Sequence, residues 1–597
     1  MIVTKLKPPK IIKNTLSSFG GINKNPNCPE NCFFDTLNTS SSSYPLVSTR
    51  EKRKRLCTFT QKPSAIHTVN GLTLTVGNKL YYNGIEQFDG LSVSEKKQIV
   101  SMGSYVIIFP DGYYINTQSV GGLGVCVDRG YLAVTNDLVT SDVEYIPCLY
   151  DRIPSVSQTE PPTPNDTDLW LDNSSYYSKL YIYSSENGGW SPIAPTHVCI
   201  KARGVERNLN VGDNIVITRS IINVDGTKSI VAMGDGYIIV SGQIDGYTYS
   251  SCVDNPPLLV ERKIPELDFV CEHQNRLFGC KYGKNENGDF VNEIYASKLG
   301  DPKNWNSFLG LSTDSYAASC GSEGKWTGIC SHMGYVVFFK ENKIHRLFGS
   351  KPSNFTLYQD EYDGVKLGSE SSLCLLNGSL FYHSQNGVYE YSGSAPSCVS
   401  HSLGREKYEN ASAGICNNIY YIALTDKNGE RVLYTYDTQN RTWNKEDCQG
   451  IYLLEGCDGN LFSLSEQDGT YYLDLMLSSN VPAICRELYS ETMADEEDFE
   501  WYAESGNIGL SLDGSKFVNH ITLRLESNEG ASVSLFTQTD QCGLWEECGN
   551  FSSKKLSKHT FDILAPRCDH FKIRLQGRGG CKIHSLTKVI ESSSEVF

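Results

Sequence analysis

Methionine is scarce in this sequence, 6 in 597 residues, and no stretch of eighteen consecutive apolar residues occurs. The second absence excludes a membrane-spanning helix, which needs about 20 such residues to cross the hydrocarbon core. Helix signals are nearly missing too: few segments repeat apolar residues at the three-and-four spacing of a buried helical face. The opening MIVTKLKPPKIIKNTLSSFGG has lysines but no apolar stretch and no small-residue cleavage site, so no secretory signal is expected and the chain reads as folding in cytoplasm. Chemical motifs are equally thin. There is no G-x-S-x-G elbow, no HExxH pair and no phosphate-cradling glycine loop. The stretch YDTQNRTW (436–443) only approaches a sialidase Asp-box and occurs once, so Trp443, like Trp305, is expected to anchor a sheet. The 21 cysteines are odd in number and mostly lie inside strand-like apolar runs, which suits reduced, buried thiols better than a disulfide framework or a zinc site. On these grounds the chain is expected not to be an enzyme, with no catalytic residue, no metal ligand and no cofactor.

What is plentiful is aromatic and glycine: 35 Tyr, 23 Phe and 52 Gly. Aromatic side chains fit pleated, half-buried surfaces, and glycine supplies tight turns, so the balance predicts many short strands. Strand–turn–strand units recur at 64–84, 97–117, 268–308, 326–349, 370–393, 411–444 and 450–465. Asn377-Gly378, Asn386-Gly387, Asp111-Gly112 and Asn428-Gly429 are turn pairs that hairpins favour. A period of roughly 30–45 residues is that of a four-stranded propeller blade. The expected fold is therefore all-β: a six- or seven-bladed β-propeller with an inserted small β module and a C-terminal jelly-roll-like β-sandwich.

The expected divisions are an extended arm over 1–62, first blades over 63–139, the inserted module over 140–262, remaining blades over 263–490 and the sandwich over 491–597. The module opens with the Pro-rich QTEPPTPNDTDLWLDNSS, and the acidic run Asp495 to Asp498 reads as a solvated linker before the sandwich. Within the module, Trp170 and Trp190 are candidates for stacking on sugar rings, the alternative being that both fill a small core. Charge is divided unevenly. Residues 1–62 hold 11 Lys and Arg against 3 Asp and Glu, while the remainder holds 42 against 66. So acidic a body argues against gripping DNA, whose binding rests on phosphate neutralisation. The one dense basic cluster is LVSTREKRKRLC (46–57).

The segment SFGGINKNPNCPENCFFDTLNTSSSSYPLVSTREKRKRL (18–56) resembles the opening of tailed-bacteriophage structural proteins of the tail-nozzle or packaged-DNA-stabilisation type, in phages of Gram-positive gut bacteria. Residues Phe19 to Asn23 and Asn38 to Arg50 carry the likeness, and stretches 292–321, 504–525 and 567–577 extend it; the insertion at 140–262 is not part of that pattern. The resemblance implies a virion tail protein, assembled in the host bacterial cytoplasm as a homo-oligomeric ring. Such a ring would contact portal, adaptor or other tail proteins and pass packaged DNA without binding it specifically. In this setting Arg50, Lys52, Arg53, Lys54 and Arg55 are expected at a rim that docks a neighbouring subunit or adaptor. The alternative is a tail-tip protein that recognises host cell-wall glycan.

Overall fold

The computed structural model describes the chain apart from residues 1–9, 94, 95, 253–255, 286, 287, 458, 478–480, 513, 541 and 593–597. The protein is all-β, a β-propeller with an inserted β module and a β-sandwich formed with residues 500–592. Among the described residues the one α-helix is the six-residue Ala483–Leu488.

Seven small antiparallel sheets have the blade pattern of four successive strands. Six take their strands in chain order: Pro63–His67 to Ile85–Asp89, Gln98–Met102 to Arg129–Tyr131, Phe269–His273 to Tyr316–Ser319, Trp326–His332 to Thr356–Asp360, Cys374–Leu376 to Ser397–Cys398, and Glu409–Cys416 to Thr442–Glu446. The seventh runs Ile451–Cys457, Asn460–Gln467, Thr470–Leu475 and then takes Lys54–Phe59 as its next strand. Turn chemistry is as the residue pairs predict, with one refinement. Only at Asn377-Gly378, of the four pairs, are both residues left-handed (φ 53° and 80°), the requirement of a type I′ hairpin.

The chain divides into two compact units. One comprises residues 1–96, 338–345 and 359–597. Here two neighbouring blades approach so closely that glycine is required at two positions on their facing strands. A Cβ on Gly456 would strike the carbonyl of Ile415, and one on Gly414 would lie 2.6 Å from Leu461 Cδ1. The sandwich in this unit is built from both ends of the sequence. Lys10–Leu16 and Val47–Thr49 pair with Cys581–Ser592 in one sheet, and Phe33–Leu37 pairs with Glu500–Ser505 in the other. Phe19, Phe33 and Val47 share a core with Trp501, Ile521, Leu535 and Phe571. The presumed arm is thus structural throughout its described length, because its alternating apolar residues fill positions the sandwich strands leave open.

The second unit comprises 97–337 and 346–358. Its inserted module has an eight-stranded sheet that begins with Val134–Asp137 paired to Leu259–Arg262 and encloses one core, including Tyr145, Val198, Ile215, Ile230, Ile238 and Val260. A four-stranded sheet, Ser155–Ser157, Leu169–Asp172, Lys179–Ser184 and Gly189–Ile193, lays Leu169, Leu171 and Leu180 against Ile146, Cys148, Cys199 and Ile239. Trp305 is buried with Val100, Ile107 and Leu277, as expected of an anchor.

Candidate functional site

The basic cluster becomes an internal clasp. Arg50 directly follows the strand Val47–Thr49, and its side chain is only 3% exposed. All five guanidinium N–H groups find acceptors: Nε donates to Asn38 Oδ1 at 2.9 Å, Nη1 to Glu51 O at 2.8 Å and Glu496 Oε2 at 2.7 Å, and Nη2 to Glu496 Oε1 at 2.7 Å and Asp447 Oδ1 at 3.0 Å. The guanidinium also lies over the Phe499 ring, 3.9 Å from its centroid. Arg53, buried as well, reaches Glu446 Oε2 at 3.1 Å and the Asp447 carbonyl at 2.7 Å.

Around this pair the other cations are matched one by one. Lys52 meets Asp498 and Lys54 meets Asp495, each at 2.7 Å, and Arg55 Nε meets Asp474 at 3.0 Å while lying over Tyr472. The expected solvated linker is therefore the acidic half of the clasp: Ala494–Asp495 pairs as a strand with Lys54–Phe59, and the 495–498 carboxylates face the 50–55 cations. The cations expected to dock a neighbour are committed inside the chain. Two are out of solvent altogether, because a desolvated guanidinium needs its carboxylates beside it.

Electrostatics follow the geometry. Burial raises the Glu496 carboxyl, but hydrogen bonding from Arg50 overrides it and holds the group below the usual range. Glu446 goes the other way: its complete burial outweighs Arg53 and Arg50 and raises it. Asp474 is likewise raised by burial against the pull of Arg55.

The aromatic candidates separate. Trp170 is 6% exposed, donates Nε1–H to the Ser157 carbonyl at 3.1 Å, stacks on Tyr181 at 5.2 Å and meets Trp190 edge-on at 5.5 Å. Its ring is occupied by protein, so it packs the outer face of its sheet instead of offering a surface. Trp190 is half-buried against Tyr183. The exposed aromatics of this sheet are Tyr176 (91%) and Tyr177 (67%), in the turn before Lys179–Ser184. Sequence reasoning passed over both, although a Tyr-Tyr pair in a Ser-rich turn has no strand face to hide against.

Other polar and aromatic side chains have local uses. Asp166 accepts from the backbone and hydroxyl of Ser185, and Asp168 from the backbone of Asn165, as turn-forming carboxylates do. Trp443 is buried and donates to the Val399 carbonyl at 2.9 Å. No group of three or more His, Cys, Asp or Glu suited to a metal occurs among the described residues.

No family model matches the chain, and no curated protein does. Solved structures similar to it include an exo-β-1,3-galactanase from Phanerochaete chrysosporium, at 9% identity and TM-score 0.22, covering 54% of this chain and 95% of that one. The β-propeller domain of the Trilobed protease from Pyrococcus furiosus is similar at 10% identity and TM-score 0.24, covering 53% and 94%. A bifunctional GH43-CE protein of Bacteroides eggerthii is similar at 10% identity and TM-score 0.20, covering 55% and 62%. The expectation that the chain is not an enzyme is corrected by these findings: a galactanase and a bifunctional GH43 protein are among its structural neighbours.

Proposed function

We propose that this chain is a structural protein of a bacteriophage tail, assembled in the host cytoplasm as a homo-oligomeric ring that helps retain packaged DNA and forms a channel for its ejection. One observation carries the reading. The residues of the phage-tail resemblance are those that clasp the fold: Phe19 sits in the sandwich core, Ile22 in a blade core, and the backbone N–H of Ile22 donates to the Trp443 carbonyl at 2.7 Å, while Arg50 closes the ionic cluster. A chain held in this way suits a part that bears load. The net charge of −16 suits passage of DNA without adhesion, since phosphates meet few counter-charges. Portal, adaptor or neighbouring tail proteins are its partners in this reading. Mass photometry across a wide concentration range, followed by cryo-EM of virions, tests it. A ring on the tail axis is the expected result, and a chain that stays monomeric and is missing from the tail refutes it.

A second reading, recognition of host cell-wall glycan, is favoured by the exposed Tyr176 and Tyr177 on the inserted module. Amphipathic rings presented to solvent are suited to the C–H faces of sugars. Pull-down by host cell walls, lost on deletion of the module, is its test.

A further inference from the structure

A cleft of about 650 Å³ opens within the second unit, between the edge strand Arg129–Tyr131 and the inserted module. That volume is in the range of small-ligand sites. Tyr131 forms one wall, 54% exposed, its ring steadied edge-on by buried Tyr113 at 5.2 Å. Lys303 is fixed on another side, 3.9 Å from the Tyr114 ring centroid and 3.4 Å from Asp128. Arg262 is deeply buried where it lines the cleft; its Nη1 donates to Asp213 at 2.7 Å, and Asn304 donates to the second oxygen of Asp213 at 2.6 Å. The Nε–H of Arg262 has no hydrogen-bond partner. Exposed Asn208 and Asn210 add amide groups at the mouth.

Charge decides the class of ligand. The cations Arg129, Arg262 and Lys303 are matched by Asp301, which also lines the cleft, and by Asp213 and Asp128, which pair with two of them. With three charges of each sign, a phosphate or carboxylate meets no net counter-charge, whereas an uncharged ligand rich in hydroxyls meets both donors and acceptors. A half-exposed tyrosine ring beside such groups suits the C–H face of a pyranose.

We infer that this cleft binds a neutral oligosaccharide, with Tyr131 as the stacking platform and Asn208, Asn210, Asp301 and Arg129 as hydroxyl partners. The inference rests on the glycan-binding reading above, and places the contact in this cleft instead of at Tyr176 and Tyr177.

The test is isothermal titration of the full chain with neutral trisaccharides (chitotriose, cellotriose, maltotriose, β-1,3-galactotriose) and, as the charged comparison, trigalacturonate. The variants are Tyr131→Ala, Ala133→Trp, which fills the cleft from an exposed position, and Trp190→Ala, with circular dichroism to confirm folding. The expected result is binding of at least one neutral trisaccharide, weakened about tenfold by Tyr131→Ala, lost in Ala133→Trp and unchanged in Trp190→Ala. Binding that survives both cleft variants overturns the inference and leaves the glycan reading standing. Tighter binding of trigalacturonate than of any neutral sugar overturns the assigned class. Failure of every sugar to bind the parent chain overturns inference and reading together.

Discussion

Replacing Arg50 with Met keeps an apolar stem in the space while removing five donors and one charge. Glu496 is then left without its guanidinium partner, while Asp447 keeps Arg53 at 3.0 Å. Removing one partner of a buried pair costs about 3–5 kcal/mol. Glu496, 17% exposed, keeps some access to water and Asp447 keeps Arg53, which argues for a cost just below that range, about 2.5 kcal/mol. Loss of the contact with Phe499 adds about 0.5–1 kcal/mol, so opening of the clasp should become easier by about 3 kcal/mol. A chain of this size does not unfold in two states, so the readout is native-state hydrogen exchange of peptides covering Lys54–Phe59 and Glu500–Ser505. There exchange should quicken roughly 100-fold, since each 1.4 kcal/mol is about tenfold, while Asn214–Thr218 in the other unit keeps its protection. Adding Glu496→Gln should restore part of the loss, because it removes the stranded charge. If the single variant exchanges within about threefold of the parent at both peptides, the clasp carries no weight and the reasoning fails.

Acid should loosen the blade that contains His383. Burial lowers this imidazole to about 4 from 6.5, and its Nδ1 lies 3.0 Å from Ser369 Oγ. The unfolded chain therefore binds the extra proton between those values, so stability falls as pH drops from 6.5 towards 4; the protection factor at Ser379–Ser384, the intrinsic exchange rate at each pH divided by the observed one, should fall over that window and stay level in a His383→Gln variant that folds. Glu496 adds a later loss of the same sign: its depressed carboxyl stabilises the fold above the ordinary 4.5 and stops doing so as pH falls through the folded value. Gly456→Ala should cost about 1–3 kcal/mol or more by forcing apart two neighbouring blades, and a thermal melt unchanged from the parent would refute the close approach. Iodoacetamide at pH 8 should label exposed Cys542 first and leave buried Cys148 and Cys199, whose thiols are pushed up to about 12, unmodified in the native chain; peptide mapping reads the order.

Six of the seven blades were legible because each is local: apolar alternation and its turns lie within about 50 residues, and no distant partner is needed to complete the pattern. The strand Lys54–Phe59 was not legible as part of the seventh blade. Its partner Thr470–Leu475 lies far along the sequence, and nothing in KRLCTF names it. A signal did exist in charge: the run 50–55 and the run 495–498 are opposite in sign, but read one at a time each passes for a surface segment. The Trp170 indole was ambiguous for a different reason. An aromatic residue on a small sheet looks alike whether it covers core or faces water, and only the crossing of Tyr181 and Trp190 decided it.

The pairing of Lys54 with Leu475 has a consequence in time. A ribosome adding about 5–20 residues per second needs roughly 20–80 s to travel between those strands. During that interval the early strand has unpaired N–H and C=O groups and no sheet to join. Clustered lysine and arginine are what keeps such an edge from pairing with a stranger. The cations that later fasten the fold thus chaperone their own strand while it waits.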